Sequence, residues 1–324
     1  MTISPASPTR HTFMEDVVTG LSSERRRLSS KYFYDDRGTR LFQTIMQTAE
    51  YYLSGSEEEI YRSCGKELLT YLGGKPFDLI ELGAGDGSKT QYLIEQFLGA
   101  KARFAYRPID LNGSALQELS NLINHRWPNL DFEAIQADYF EALDRLGSSS
   151  GRRQRLLLFP GANIGNYTPG EAVSILQKIH HFLSPGDLVL TGFDLKKDPA
   201  IILAAYNDPG GHTAAFNLNL LARINRELNG DFVLDCWRHW ETYDPMSGAA
   251  KSFLIPIEPQ TVRIGAANRT FVFRAWQPIE VEISQKYNLR EIEGMAEAAG
   301  FECIEHFQDR RRYFTDSLWR VSSR

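Results

Sequence analysis

An alternation that starts at Phe77 limits this chain's fold more than any other feature. Short apolar runs, "FDLIEL", "FAYRPID", "FEAIQAD", "RLLLFPG" and "DLVLTGFD", are separated by helical periods. One of these periods is "PGEAVSILQKIHHFL"; others are expected from about Lys89, from about Ser114 and over "DPAIILAAY". Strands joined in this way by helices imply right-handed crossovers and a parallel, doubly wound sheet, an α/β fold. "GSSSGRR" (Gly147 to Arg153) reads as a surface loop before the fourth strand.

On either side the rhythm differs. Residues 1–70 look mainly helical, and Ser56 followed by Glu59 fits a capping box for a helix running into "EEIYRSCGKELLTYL". After Asn207 a helical pattern, "TAAFNLNLLARINREL", leads into the β-rich segments "FVLDCWRHWETY", "KSFLIPI", "TVRI", "TFVFRAW" and "PIEVEISQKY". A helix ended by Gly300 and two strands, "FECIEHF" and "DSLWRV", then return to complete the sheet. The expected architecture is a doubly wound, Rossmann-like domain of residues 71–199 and 287–324. A second, smaller α+β domain is expected from 1–70 and 200–286, the N-terminal segment and an insertion.

Composition narrows the classes. The chain of 324 residues is 42% hydrophobic and 24% charged, ordinary for a globular protein, and its net charge of −5 argues against a nucleic-acid partner. No apolar run is long enough to span a bilayer, and "MTISPASPTRHTFMEDVV" lacks the apolar core of a secretory signal, so a cytoplasmic protein without a membrane partner is expected. Cys64, Cys236 and Cys303 lie far apart and the histidines show no ligand spacing, so no metal is expected. No long apolar stripe is left without a place in the fold, and a monomer is expected. The basic runs "ERRRL" and "DRRRY" read as solvated faces.

The first strand runs into "ELGAGDGSKT", where Gly83, Gly85 and Gly87 let the backbone turn tightly at the strand's carboxyl end. A dinucleotide fingerprint asks for Gly or Ala where Ser88 stands, which disfavours an NAD-dependent oxidoreductase. The looser G-x-G-x-G with an acid before it resembles motif I of S-adenosylmethionine (SAM) methyltransferases. Asp110 ends the second strand about 27 residues after Gly83, placed to accept both ribose hydroxyls. Asp138 ends the third, followed by Tyr139, where an adenine amino group and ring face would lie. Each acid alone suits a helix N-cap equally well; together, at successive strand ends, they favour an adenosyl cofactor. Lys89 is either the first turn of a helix or a partner for the cofactor's methionine carboxylate.

In "PIEVEISQKY", Glu280, Glu282 and Ser284 share one face of a strand, and Val281 and Ile283 the other. Such a face is either a solvated edge or a reader of a polar ligand, and the strand alone does not decide which.

With these residues in view, the chain resembles the histidine Nα-methyltransferases of ergothioneine biosynthesis, in "FYDDRGTRLF", "EYY", "ELGAGDGSKT", "GANIGN", "KDPAIILAAYND", "TAAFNLNLLARINREL" and "EVEISQKY". The resemblance runs from about Lys31 to the end. It implies a class I SAM methyltransferase domain, with the smaller domain binding substrate, and three transfers to the α-amine of histidine that give hercynine. Tyr34, given the catalytic role, and Tyr51 would line the amine side of the pocket. Asn166 and Tyr206 would hold the substrate carboxylate, Glu282 and Ser284 the imidazole ring, and Gly161 would line the cofactor pocket. An imidazole offers one donor and one acceptor, which a carboxylate and a hydroxyl match. The chain departs from the family at Leu53-Ser54-Gly55, where Pro-Thr-Arg is common, and at Phe253, a position often methionine and expected near the ring. The rival expectations are a SAM methyltransferase of another amino acid or small amine, and a catalytically silent SAM- or amino-acid-binding relative.

Overall fold

A computed structural model describes residues 10–147 and 153–322, so most of the expected loop from Gly147 to Arg153 lies outside the described residues. Contacts divide the chain into two units: Leu53–Lys196 with Gln285–Arg324, and Pro8–Tyr52 with Lys197–Ser284. The first unit holds β1 (Phe77–Leu82), β2 (Phe104–Asp110), β3 (Asp131–Phe132), β4 (Ile135–Gln136), β5 (Gln154–Phe159) and β6 (Leu188–Asp194). The second holds β7 (Trp237–Asp244), β8 (Ala249–Pro256), β9 (Gln260–Ile264), β10 (Arg269–Phe273) and β11 (Ile279–Gln285). The chain then returns to the first unit for β12 (Phe301–Gln308) and β13 (Phe314–Val321).

In the first unit one sheet runs β12-β13-β6-β5-β1-β2-β3, with β4 also paired to β2. β1, β2, β5 and β6 are parallel, and β13 runs antiparallel to both β6 and β12. β6 is buried along its whole length, as a strand covered on both faces must be. Ile80, Leu157, Val189 and Phe193 of the sheet pack with Leu176 and Ile179 of helix Pro169–Phe182 and with Ile292 of helix Leu289–Ala298. That last helix begins at a capping box, Asn288 with Glu291, and Gly300 follows its end at φ +91°. "FEAIQAD" forms only the two short pieces β3 and β4: it is a sheet edge, where exposed Asp131 and Glu133 pair with Arg107.

Two expectations fail at the N-terminal boundary. Helix Tyr52–Tyr71 belongs, from Leu53 onward, to the sheet unit and not to the smaller one. Gln96 of helix Gln91–Gly99 explains this, since it accepts from Gly65 N (3.0 Å) and donates to the Tyr61 carbonyl (2.6 Å). Ser56 and Glu59 lie inside this helix and are no cap. Ser56 donates instead to Asp309 (3.3 Å), and Glu59 accepts from Arg310 N (3.0 Å). Leu53-Ser54-Gly55 is the first turn of the same helix, not a loop.

The second unit has a three-stranded sheet, β11-β8-β7, and the pair β10-β9. Its core joins Phe13 and Val17 of helix Arg10–Ser22, Phe216 and Leu220 of helix His212–Leu228, and Leu254, Phe273 and Val281 of the strands. Asp35 of "FYDD" caps helix Asp36–Met46 through Gly38 N (2.7 Å) and takes Asn219 Nδ2 (2.8 Å) and Arg226 Nη2 (2.5 Å) of helix His212–Leu228. Those donors hold its carboxyl below the ordinary value although burial acts the other way.

Candidate functional site

In the first unit the strand order reverses between β1 and β5, the place where open α/β sheets leave a crevice at the strands' carboxyl ends. The chain leaves β1 through Gly83 at φ +75°, a conformation glycine adopts without strain. A Cβ there would come within 2.7 Å of the Tyr139 hydroxyl and 3.1 Å of Asn163 Nδ2. Gly85 N donates to Asp110 Oδ2 (2.9 Å) and Asn112 N to Oδ1 (2.8 Å), which fixes the carboxylate beside the glycine turn. Burial pushes the Asp110 carboxyl up despite these donors. Asp138 is exposed and caps helix Tyr139–Gly147, accepting from Phe140 N (3.0 Å). Beyond β5, Gly161 and Ala162 are both left-handed, φ +74° and +54°, and for alanine that conformation is strained. A Cβ on Gly161 would lie 3.5 Å from Asn163 Nδ2 and 3.7 Å from Lys89 Nζ. The structure thus gathers Gly83, Tyr139, Gly161 and Lys89 at one rim and adds Asn163, which sequence reasoning passed over although it lies in the quoted "GANIGN". Asn166 closes the short turn Asn163–Asn166 in this unit.

The Lys89 ammonium is tied to Glu57. Burial acts to lower its pKa, but the Glu57 charge and hydrogen bond leave it above the ordinary lysine value. The other oxygen of Glu57 accepts from Gly161 N at 2.7 Å. Behind them Glu81 accepts from Thr90 (2.5 Å) and from the Tyr106 hydroxyl, and burial pushes its carboxyl up to about 7.

In the second unit Tyr34, 42% exposed, meets Phe42 and Phe216 edge-on at 5.5 and 5.4 Å. Phe42 meets Tyr51 at 5.8 Å, and Tyr51 meets Tyr206 at 6.4 Å. The Tyr206 hydroxyl shares a buried 2.7 Å hydrogen bond with Ser284. Glu282 is half-buried, and its Oε2 lies 3.3 Å from the Ser252 hydroxyl, which is 2.7 Å from Glu241 Oε2. One hydroxyl hydrogen cannot serve both acids, so the shorter contact takes it. His239 Nε2 lies 3.9 Å from the same Glu241 oxygen, and neither ring nitrogen has a hydrogen-bond partner among the described residues. Burial pushes that imidazole down to about 4, so it is neutral at pH 7.

On this strand face Ser284 is buried and Glu282 half-buried, while the Glu280 side chain is 39% exposed and pairs with Lys251. The register separates Phe253 from Ser252 across the two faces of β8. Successive residues of a strand point to opposite faces; Ser252 is opposite Glu241, while Phe253 is opposite Trp240, which is 60% exposed. Ser252, Glu241 and His239 are the residues missed, and the only available signal was the alternation within "KSFLIPI".

Counting only the strands of the large sheet, with β3 and β4 as one edge strand, the order is 3-2-1-4-5-7-6 with the seventh reversed, which is not the 3-2-1-4-5-6 order of dinucleotide folds. With the glycine turn and the acid at the end of β2, this defines a Rossmann-like, SAM-dependent methyltransferase. The chain belongs to the histidine-specific, SAM-dependent methyltransferase family, whose profile matches residues 13–321. It is 35% identical to the histidine N-alpha-methyltransferase of Mycobacterium tuberculosis over 94% of this chain and 93% of that protein. The enzyme of the same name from Mycolicibacterium smegmatis is 34% identical over 84% and 83%. A 4-dimethylallyltryptophan N-methyltransferase of Aspergillus fumigatus is 25% identical over 89% and 87%. Among the described residues no helix is long and apolar enough to cross a membrane.

Proposed function

We propose that this chain trimethylates the α-amino group of L-histidine to hercynine, taking each methyl from SAM. The observation that carries the reading is the polar set Glu282, Ser284 and Tyr206 in the second unit, with Ser284 buried and bonded to Tyr206. An imidazole supplies one donor and one acceptor, which a carboxylate and a hydroxyl match. In this reading Glu282 and Ser284 hold the ring, Tyr206 and Asn166 the carboxylate, and Tyr34 and Tyr51 the amine.

The glycine turns at Gly83 and Gly161, with open space at Gly85, and the carboxylate of Asp110 fit an adenosyl group, with Lys89, Asp138 and Tyr139 completing the set. When bound, SAM supplies an electrophilic methyl. The chain's own contribution is orientation, because an in-line displacement depends on a close approach of aligned atoms. The attacking amine must be neutral, and the Tyr34 hydroxyl is the group assigned to receive its proton, directly or through water. As methyl groups accumulate, the faces of Tyr34 and Tyr51 stabilise the growing ammonium by up to ~2 kcal/mol where water is excluded.

The reading places the enzyme in the cytoplasm, which fits three free cysteines, and as a monomer, which light scattering after size exclusion tests. Mass spectrometry of purified protein with SAM and a panel of amino acids tests the reaction. Mono-, di- and trimethylhistidine appearing in sequence is the expected result. Methylation of tryptophan or another amino acid with histidine untouched would overturn the reading.

A further inference from the structure

We infer that Glu57 is a positioning residue for the methyl-donor site, holding together the loops that leave β1 and β5. The inference rests on reading those loops as the ones that bind SAM. Glu57 is fully buried in helix Tyr52–Tyr71, yet each of its oxygens is spent on a residue of that rim, Oε2 on the Lys89 ammonium and Oε1 on the Gly161 amide at 2.7 Å. Lys89 follows the glycine turn after β1, and Gly161 is the exposed residue at which the chain leaves β5. One carboxylate therefore ties both sides of the point where the strand order reverses.

The fold makes room for this contact at Gly192. Gly192 lies in the middle of β6, where a glycine weakens a strand and marks a close approach. A Cβ there would come within 2.6 Å of Glu57 Oε1 and 3.0 Å of the Phe314 ring. Asp316 on β13 is the second device. It is fully buried, and neither of its oxygens accepts a hydrogen bond among the described residues. Burial, and after it the neighbouring Glu57 charge, raise its carboxyl well above the carboxylate range. Asp316 is thus a second buried acid beside Glu57. A buried carboxyl group met by an ammonium and an amide N–H meets the condition for keeping such a group in an interior. Its consequence is local: without that carboxyl group Lys89 is released and Gly161 loses the acceptor that holds its left-handed turn.

The test is Glu57→Gln, which keeps the side chain's shape and removes its charge. With the amide nitrogen facing Lys89, two donors oppose each other. Titration with S-adenosylhomocysteine should show affinity reduced at least about tenfold, while the variant's melting temperature stays within a few degrees of the wild type. The KM for histidine should stay within about twofold, since Lys89 and Gly161, the partners of Glu57, both lie in the sheet unit. Asp316→Asn, which keeps the side chain's shape and removes the acid beside Glu57, should bind S-adenosylhomocysteine nearly as the wild type does. If wild type and Glu57→Gln bind it equally, the inference is overturned and the donor-site reading stands. If the wild type itself does not bind, the donor-site reading falls and takes the inference with it. Should Glu57→Gln not fold, hydrogen exchange of the ligand-free wild type decides. The Gly161 amide, although on an exposed residue, should exchange at least roughly a hundredfold more slowly than an unprotected loop amide. Free exchange there would contradict the inference.

Discussion

The two units bury different kinds of polarity. The sheet unit buries a cluster of ionisable groups: Glu57, Glu81, Asp194, Lys286 and Asp316 are all inaccessible, and the carboxyls of Glu81, Asp110 and Asp316 are pushed up by burial. The smaller unit buries the neutral His239 side chain, Ser252, Ser284 and Tyr206 beside the acids Asp208 and Glu241. Its carboxylates Asp16, Asp35 and Asp208 are instead held low, as hydrogen bonds outweigh burial. The contrast follows from what each half has to do. Parallel strands ending at one crevice bring acids, amides and a lysine together, and charge packed there must pair or take up a proton. Under the proposed function the smaller unit meets an amine that becomes a cation, and hydroxyls and ring faces would satisfy polarity there without fixing a counter-charge.

The contrast breaks most visibly at the Asp194–Lys286 pair, both side chains fully buried with N to O at 2.8 Å. Asp194→Leu should cost about 3–5 kcal/mol by urea unfolding, because it strands a buried ammonium. Adding Lys286→Met should recover most of the loss, since a matched apolar pair leaves no charge without a partner. A single-variant loss below ~1 kcal/mol would show that water reaches this pair.

Acid should move the two units in opposite directions. His239 is held at about 4 in the fold against 6.5 for a free imidazole, so the unfolded chain takes up a proton first. Stability carried by that group is lost as pH falls from 6.5 to 4, on the order of 3 kcal/mol at most. Glu81 behaves inversely: with a carboxyl at about 7 against an ordinary 4.5, its contribution is present below 4.5 and lost as pH rises through 7. Hydrogen exchange of core amides at pH 5 and 7.5, corrected for intrinsic rates, should show the smaller unit loosened and the sheet unit tightened at pH 5. Parallel movement of both would remove the contrast. Glu81→Gln and His239→Leu should each flatten the response of their own unit.

A smaller effect separates the two faces of β8. Ser252→Ala deletes the hydroxyl between Glu241 and Glu282 and should raise the KM for histidine by roughly fivefold, about one hydrogen bond's worth. Phe253→Leu, on the other face, should leave it within about twofold. Equal effects would mean that the strand's two faces do not divide the work.

The sheet unit was largely legible because its signals are local. β1 and β2 match "FDLIEL" and "FAYRPID" residue for residue, and Gly83 and Asp110 stand where a strand-end argument puts them. What stayed hidden depends on partners far away in the chain. Ser56 and Glu59 look like a cap until the Asp309–Arg310 turn, some 250 residues on, is seen to claim them. Glu57 reads as one acid among three in "SEEEIY", and only Gly161 and Lys89 give it meaning. The resemblance places Phe253 near the ring, and alternation alone leaves the register of its strand open by one residue.

The most direct measurement is a paired one on the double variant Glu282→Gln, Ser284→Ala: steady-state methylation of histidine beside titration with S-adenosylhomocysteine. The account predicts that kcat/KM for histidine falls about a hundredfold, near 3 kcal/mol for the lost ring contacts, while donor affinity stays within about twofold. Histidine methylated at close to the wild-type rate, or donor affinity falling in step with it, would contradict the claim that these two residues read the imidazole ring.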